Sequence, residues 1–259
     1  EAWLARLAAN RPWAIPWLTH LERDGYWQGK AAPTDGTVPL LLYSGWADKY
    51  ATSVLRIAAG WRGPVRTIIG PWEHATPTTA SRGPRIGFLQ EALRWWDQWL
   101  KGRETGVMAE PGLRYWLAEP DRRGGLERGV WRGVAWPMAQ LRSVQWRFGP
   151  RRTVLKPAPR TPGRLTEDLY EDAPGAWPAD GALLTQAAVG DGEVFMPVLR
   201  ARVRSVPAGG ILVARLLDVA PDGTAVRMTT GALNLAFADG TGRAARARDG
   251  ESLDVVLPF

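Results

Sequence analysis

The stretch that decides the fold is Val38-Pro-Leu-Leu-Leu-Tyr-Ser-Gly-Trp-Ala-Asp48-Lys-Tyr50, resumed at Val65-Arg-Thr-Ile-Ile-Gly-Pro-Trp-Glu-His74. Two short apolar runs, Leu40–Tyr43 and Val65–Ile69, each stop at glycine and deliver an ionisable side chain a few residues later. Apolar runs without alternation fit strands buried on both faces, as in a parallel sheet covered by helices. Tyr50–Ala59 between them reads as a helix, and a helix joining two parallel strands makes a βαβ unit. In such sheets the working groups sit on loops at the carboxyl ends of the strands, where Asp48 and His74 stand. A carboxylate presented to an imidazole fixes its tautomer and stabilises the imidazolium that forms during acyl transfer.

Working outward, Gly87–Lys101 is the best helical pattern: Phe88, Leu89, Ala92, Trp95, Trp96, Trp99 and Leu100 repeat at helical spacing until Gly102 ends it. It is expected to cover one face of the sheet, and Leu113–Leu117 reads as a further strand. Upstream, Trp3-Leu4-Leu7 and Trp17-Leu18-Leu21 are helical pieces separated by Pro12 and Pro16, the tail of a helical cap. From about Trp136 the helical period stops. Phe195–Val206, Ile211–Asp218, Ala225–Thr230, Leu233–Phe237 and Ser252–Leu257 then alternate with Gly, Pro and Asp turns, the rhythm of a sandwich or jelly roll. The expected division is residues 1–36 for the cap tail, 37–135 for an α/β domain and 136–259 for a truncated jelly roll. Both ends read as interior to a longer chain: the first residues look like helix in mid-course, and Leu257-Pro-Phe follows a strand with no closing element.

Composition bounds the alternatives. At 259 residues, 45% hydrophobic and 23% charged, the chain has the make-up of a globular protein able to bury a core. No apolar run approaches the ~20 residues that span a bilayer, so no membrane role is expected. The absence of cysteine excludes disulfides, thiolate nucleophiles and cysteine zinc sites. It fits a cytoplasmic location better than a secreted one without fixing either. Of the 33 basic residues only four are Lys, and the net charge of +7 is spread among Asp and Glu. Arg151-Arg152 and Arg243–Arg248 are the local clusters, and neither has interleaved aromatics, so no nucleic-acid partner is expected.

The chemical candidates narrow quickly. His74 is one of two histidines, and Asp48 precedes it in the order acid, histidine of the α/β-hydrolase plan, in which the nucleophile comes first. Asp48 has a bland alternative as the cap of the following helix. Glu73 is a poor acid for His74, because neighbours in extended chain point to opposite sides. His20, among Trp17, Leu18 and Leu21, reads as a packing or surface residue. No metal site is expected from two histidines without cysteine or a close-spaced ligand pair. No Gly-x-Ser-x-Gly elbow exists in the sequence. Ser44 lies too near the acid to be the nucleophile, and Ser53 and Ser81 fall in a helix and a loop.

These blocks resemble a known family. Gly45-Trp-Ala-Asp48-x-Tyr50 and Ile69-Gly-Pro-Trp-x-His74 are similar to the acid and histidine blocks of the cocaine-esterase-like, X-Pro dipeptidyl-peptidase-type serine hydrolases. Arg23-Asp-Gly-Tyr-Trp27, Gly87–Gly102, Trp131 with Trp136-Pro137, Arg215–Gly223 and Gly231–Leu235 add to the resemblance. It implies an α/β-hydrolase with a helical cap and a jelly-roll domain, using a Ser–Asp–His mechanism without cofactor on a small-molecule ester, amide or peptide. Asp48 and His74 match the acid and base, and Tyr50 corresponds to an aromatic lining the acyl pocket. Lys49 stands where the family has Gly, and the serine is expected upstream of Glu1. The rival reading, motivated by Lys49 and the missing serine, is a non-catalytic module whose jelly roll binds a partner or carbohydrate. Homo-oligomerisation is left open.

Overall fold

The computed structural model describes residues 2–10, 12, 14–119, 128–138, 197–204, 210–219, 225–244 and 251–258, without the side chains of 217–219 and 225–227. In chain order the first elements are α1 (Ala2–Ala9), α2 (Ala14–Thr19), α3 (Gly25–Gln28), β1 (Leu40–Gly45), α4 (Ala51–Gly60), β2 (Val65–Gly70) and α5 (Phe88–Lys101). There follow β3 (Leu113–Ala118), β4 (Gly129–Val134), β5 (Val198–Arg204), β6 (Ile211–Val219), β7 (Ala225–Asn234) and β8 (Ser252–Pro258). They divide into two compact units. One comprises Pro33–Met196 with Arg215–Thr230, the other Glu1–Ala32 with Pro197–Ala214 and Gly231–Phe259.

The first unit holds a mixed sheet in the order β1-β2-β3-β4, the first three strands parallel and β4 antiparallel to β3. The expected βαβ unit is present, with α4 as the crossover. β2 is buried on both faces, enclosing Arg66 and Thr67 together with Ile68 and Ile69. Ile69 packs with Leu55 of α4 and with Leu113 and Tyr115, whereas Ile68, pointing the other way, packs with Trp72 and Ala80. α4 turns Ala51, Leu55 and Ala58 inward at helical spacing. The registers Leu40↔Val65 through Gly45↔Gly70 make the two strands end level, so the loops that follow leave the sheet side by side.

α5 forms where expected and stops at Gly102 with φ 63°. Only part of its tryptophan-leucine pattern turns inward. Trp95 is buried, whereas Leu89, Leu93, Trp96 and Leu100 lie exposed. The inward side is set by charge: Glu91 reaches Arg114 at 2.8 Å and Arg66 at 3.6 Å, and Arg94 pairs with Glu110, which also pairs with Arg66. Arg66 is fully enclosed, so this side of the helix must bring counter-charges to it.

Two further elements differ from the sequence reading. β4 was not expected, its pattern being hidden by Gly129, Arg132 and Gly133. Ala225–Thr230 and Leu233–Phe237, expected as two strands about a turn at Gly231, are instead the continuous strand β7 followed by a 3-10 turn at Leu235–Phe237. Beyond these, β5 pairs antiparallel with β8 in one two-stranded sheet, and β6 and β7 form another. In the second unit Arg23 donates its backbone N–H to Gly242 and Glu22 accepts from the Ala244 N–H. Residues 139–196, 205–209, 220–224, 245–250 and 259 of the expected jelly-roll segment lie outside the described residues, and with them Arg151-Arg152 and part of the Arg243–Arg248 cluster. No described helix is long and apolar enough to cross a membrane.

Candidate active site

Backbone bonds join the two loops that leave β1 and β2. The Trp46 N–H donates to Gly70 O at 2.8 Å and the Ala47 N–H to Trp72 O at 3.1 Å. Gly45 makes this approach feasible: a Cβ there would stand 1.8 Å from the Trp72 carbonyl oxygen. Trp72 is itself fixed. Its indole is fully buried against Ile68 and Ala80, and its ring N–H donates to Pro84 O at 2.9 Å. The carbonyl that holds the acid loop thus belongs to a residue anchored in the core.

Glu73 turns away from His74, as alternation requires. Its carboxylate accepts the backbone N–H groups of Ser81, at 2.6 Å, and Arg82, at 3.2 Å. Burial works to raise its pKa, but these bonds outweigh it and hold the group below the usual carboxylate range. Glu73 organises the loop 74–84 and leaves His74 to its other neighbour.

That neighbour is Asp48. Its Oδ2 lies 3.2 Å from His74 Nδ1 and accepts from Ser44 Oγ at 3.3 Å, while its Oδ1 accepts the Tyr50 backbone N–H at 3.2 Å. Asp48 is not the cap of α4, whose N-cap is Tyr50 without a side-chain bond; its Oδ1 instead closes the turn before the helix, and its Oδ2 faces the imidazole. The Asp48 side chain is 10% exposed and that of His74 74%. Only an acceptor stands opposite Nδ1, so that nitrogen carries the proton and Nε2 presents a lone pair. Nε2, on the open edge of the ring, has no partner among the described residues. This arrangement can accept a proton from an approaching hydroxyl.

Tyr50 joins the pair, its ring 5.4 Å from that of His74 and tilted by 53°, and the Lys49 ammonium lies 5.3 Å from the Tyr50 ring centre. The structure thus brings together all three site residues expected from sequence: Asp48, His74 and Tyr50. His20 serves elsewhere, pairing with Asp24 at 2.5 Å and stacking on Tyr26 at 4.5 Å. Among the described residues no three His, Asp or Glu side chains gather in a way that could hold a metal. Sequence reading missed the parts played by Ser44, Gly45 and Trp72. The Gly-Trp and Gly-Pro-Trp signals marked their position, but the bonds between the loops depend on strand register.

Residues 1–76, which include Asp48, Tyr50 and His74, match the family model for X-Pro dipeptidyl-peptidase (S15 family). The chain is similar to that family. Two crystal structures of a CocE/NonD family hydrolase from Staphylococcus aureus superpose on it with TM-scores of 0.58 and 0.54. Each is 10% identical and covered over 96% of this chain and 48% of its own. At that identity the likeness shows the fold alone, a hydrolase fold with a mixed sheet. The chain spans about half the length of the structures it matches. No curated protein matches the sequence.

Proposed function

We propose that this chain carries the acid and the base of a serine hydrolase that cleaves an ester or amide through an acyl-enzyme. The observation that carries the reading is the enclosed Asp48 carboxylate 3.2 Å from Nδ1 of an imidazole whose other edge is open. In this reading Nε2 of His74 takes the proton of a serine hydroxyl as its oxygen attacks the substrate carbonyl. The same nitrogen then gives that proton to the departing alcohol or amine. A water molecule, deprotonated by His74, releases the acid and restores the serine. Asp48 keeps the proton on Nδ1 and offsets the positive charge that the ring acquires in each half-reaction.

The serine and the donors that stabilise the oxyanion come from a part of the protein outside these 259 residues. The absence of a Gly-x-Ser-x-Gly elbow, and the half-length coverage of the matched structures, support this. Tyr50 lines the pocket for the acyl group, and the strands β5 to β8 belong to a jelly-roll domain. The substrates are small esters, amides or peptides, as for an acyl esterase or an X-Pro-type peptidase, and no cofactor is required. Reaction of the full-length protein with a fluorophosphonate probe tests the reading. The expected result is one labelled serine upstream of Glu1, with labelling strongly slowed by His74→Ala. A folded full-length protein that takes up no probe overturns it and favours the non-catalytic module.

A further inference from the structure

We infer that Ser44 is a positioning residue for the acid Asp48, an inference that rests on the proposed hydrolase reading. Ser44 is the last residue of β1 before the glycine that starts the acid loop, and it is 5% exposed. A buried hydroxyl calls for a partner, and its Oγ donates to Asp48 Oδ2, the oxygen that His74 Nδ1 also approaches. The Tyr50 N–H holds Oδ1.

The two donors divide the work. A carboxylate tied through one oxygen can still swing about its Cβ–Cγ bond, because terminal torsions of Asp are broad. The two oxygens turn together, so the Tyr50 bond, at 3.2 Å, restrains that torsion from one end only and leaves a range of carboxylate tilts. Ser44, on a strand whose register is fixed against β2 by Ser44↔Ile69, holds Oδ2 from the sheet side. The two bonds together set the carboxylate plane so that Oδ2 faces Nδ1 when the ring becomes charged. This is a role in orientation: Ser44 acts on the imidazole through the Asp48 carboxylate.

The test is a double-substitution cycle in the full-length protein, comparing Ser44→Ala, Asp48→Ala and the pair. Ser44→Ala should lower kcat by about ten- to a hundredfold, the worth of one hydrogen bond to a charged group, with KM unchanged. Ser44→Thr, which keeps the hydroxyl, should recover most of the loss. Because Ser44 acts through the carboxylate, Ser44→Ala should have no further effect once Asp48 is Ala. Ser44→Cys, of nearly the same shape but a weak donor, should lose activity like the alanine variant and guards against a folding defect. Unchanged kcat in both Ser44→Ala and Ser44→Cys, with Asp48→Ala inactive, overturns the role of Ser44 and leaves the hydrolase reading intact. An equal loss from Ser44→Ala with and without Asp48 also overturns it, as a general structural effect. Near-normal kcat in Asp48→Ala overturns the hydrolase reading itself.

Discussion

Replacing Gly45 by alanine should separate the two loops of the site. The added Cβ would lie 1.8 Å from Trp72 O, 2.5 Å from its carbonyl carbon and 2.9 Å from its Cα, all backbone atoms that cannot rotate aside. Reaching an ordinary contact of about 3.4 Å from the oxygen requires the strands' ends to part by ~1.6 Å. Trp72 cannot follow easily, being fully buried and bonded to Pro84 O. The displacement therefore falls on the acid loop, where the Ala47–Trp72 bond breaks. The Asp48–His74 separation of 3.2 Å is already at the long end of a hydrogen bond and opens beyond it. Overpacking of this kind costs about 1–3 kcal/mol, so the fold should survive with a lowered Tm. If Asp48 and His74 act as the proposed acid and base, a misplacement of more than 1 Å between them should cost on the order of 10² in kcat. Thermal unfolding and steady-state turnover of the full-length Gly45→Ala protein are the assays. Native turnover in that variant would refute the argument that loop approach sets the site.

The charged cluster behind the sheet gives two further predictions. Arg66, Arg94 and Arg114 pair with Glu91 and Glu110, so Glu110→Gln should destabilise by about 2 kcal/mol, reduced from a fully buried pair because Glu110 is 30% exposed. Arg66→Met should cost less, within about 1 kcal/mol, because Glu91 keeps Arg114 and Glu110 keeps Arg94; denaturant unfolding of both variants checks the order. Burial acts to raise the Glu110 carboxyl, but the Arg94 hydrogen bond and the Arg66 charge outweigh it and hold it below its ordinary value of 4.5. A depressed carboxyl stabilises the fold above its unfolded-state pKa and ceases to do so as pH falls through the lower folded-state value. Stability should therefore decline with acid from about pH 4.5 downward, and Glu110→Gln should flatten that slope in unfolding measured across pH.

The sheet and the approach of Asp48 to His74 were legible because strand-end loops are marked by local signals: largely apolar runs, terminal glycines and ionisable residues beyond each. What escaped depends on partners distant in sequence. Gly231 reads as a turn residue, yet a Cβ there would come within 2.7 Å of Pro258 O and 3.1 Å of the Leu257 side chain. The glycine permits close approach by β8 inside a continuous strand. β4 escaped because Gly129, Arg132 and Gly133 erase the alternation that an edge strand would otherwise show. In α5 apolar residues ring most of the helix, so periodicity could not choose which side faces inward, and the counter-charges for Arg66 made that choice. The same limit hid Ser44, whose bond to Asp48 requires the turn at Gly45 to bring position 44 back toward position 48.

The proposed role of Asp48 as partner of the base His74 is reached by one measurement. Turnover of a small ester by the full-length protein should fall on the order of 10⁴ in the Asp48→Asn variant, because an amide in place of the carboxylate turns the imidazole to the wrong tautomer. The Tm should barely move, since the side chain keeps its shape and its bond to the Tyr50 N–H. An Asp48→Asn protein that turns over ester at the parent rate would contradict the account.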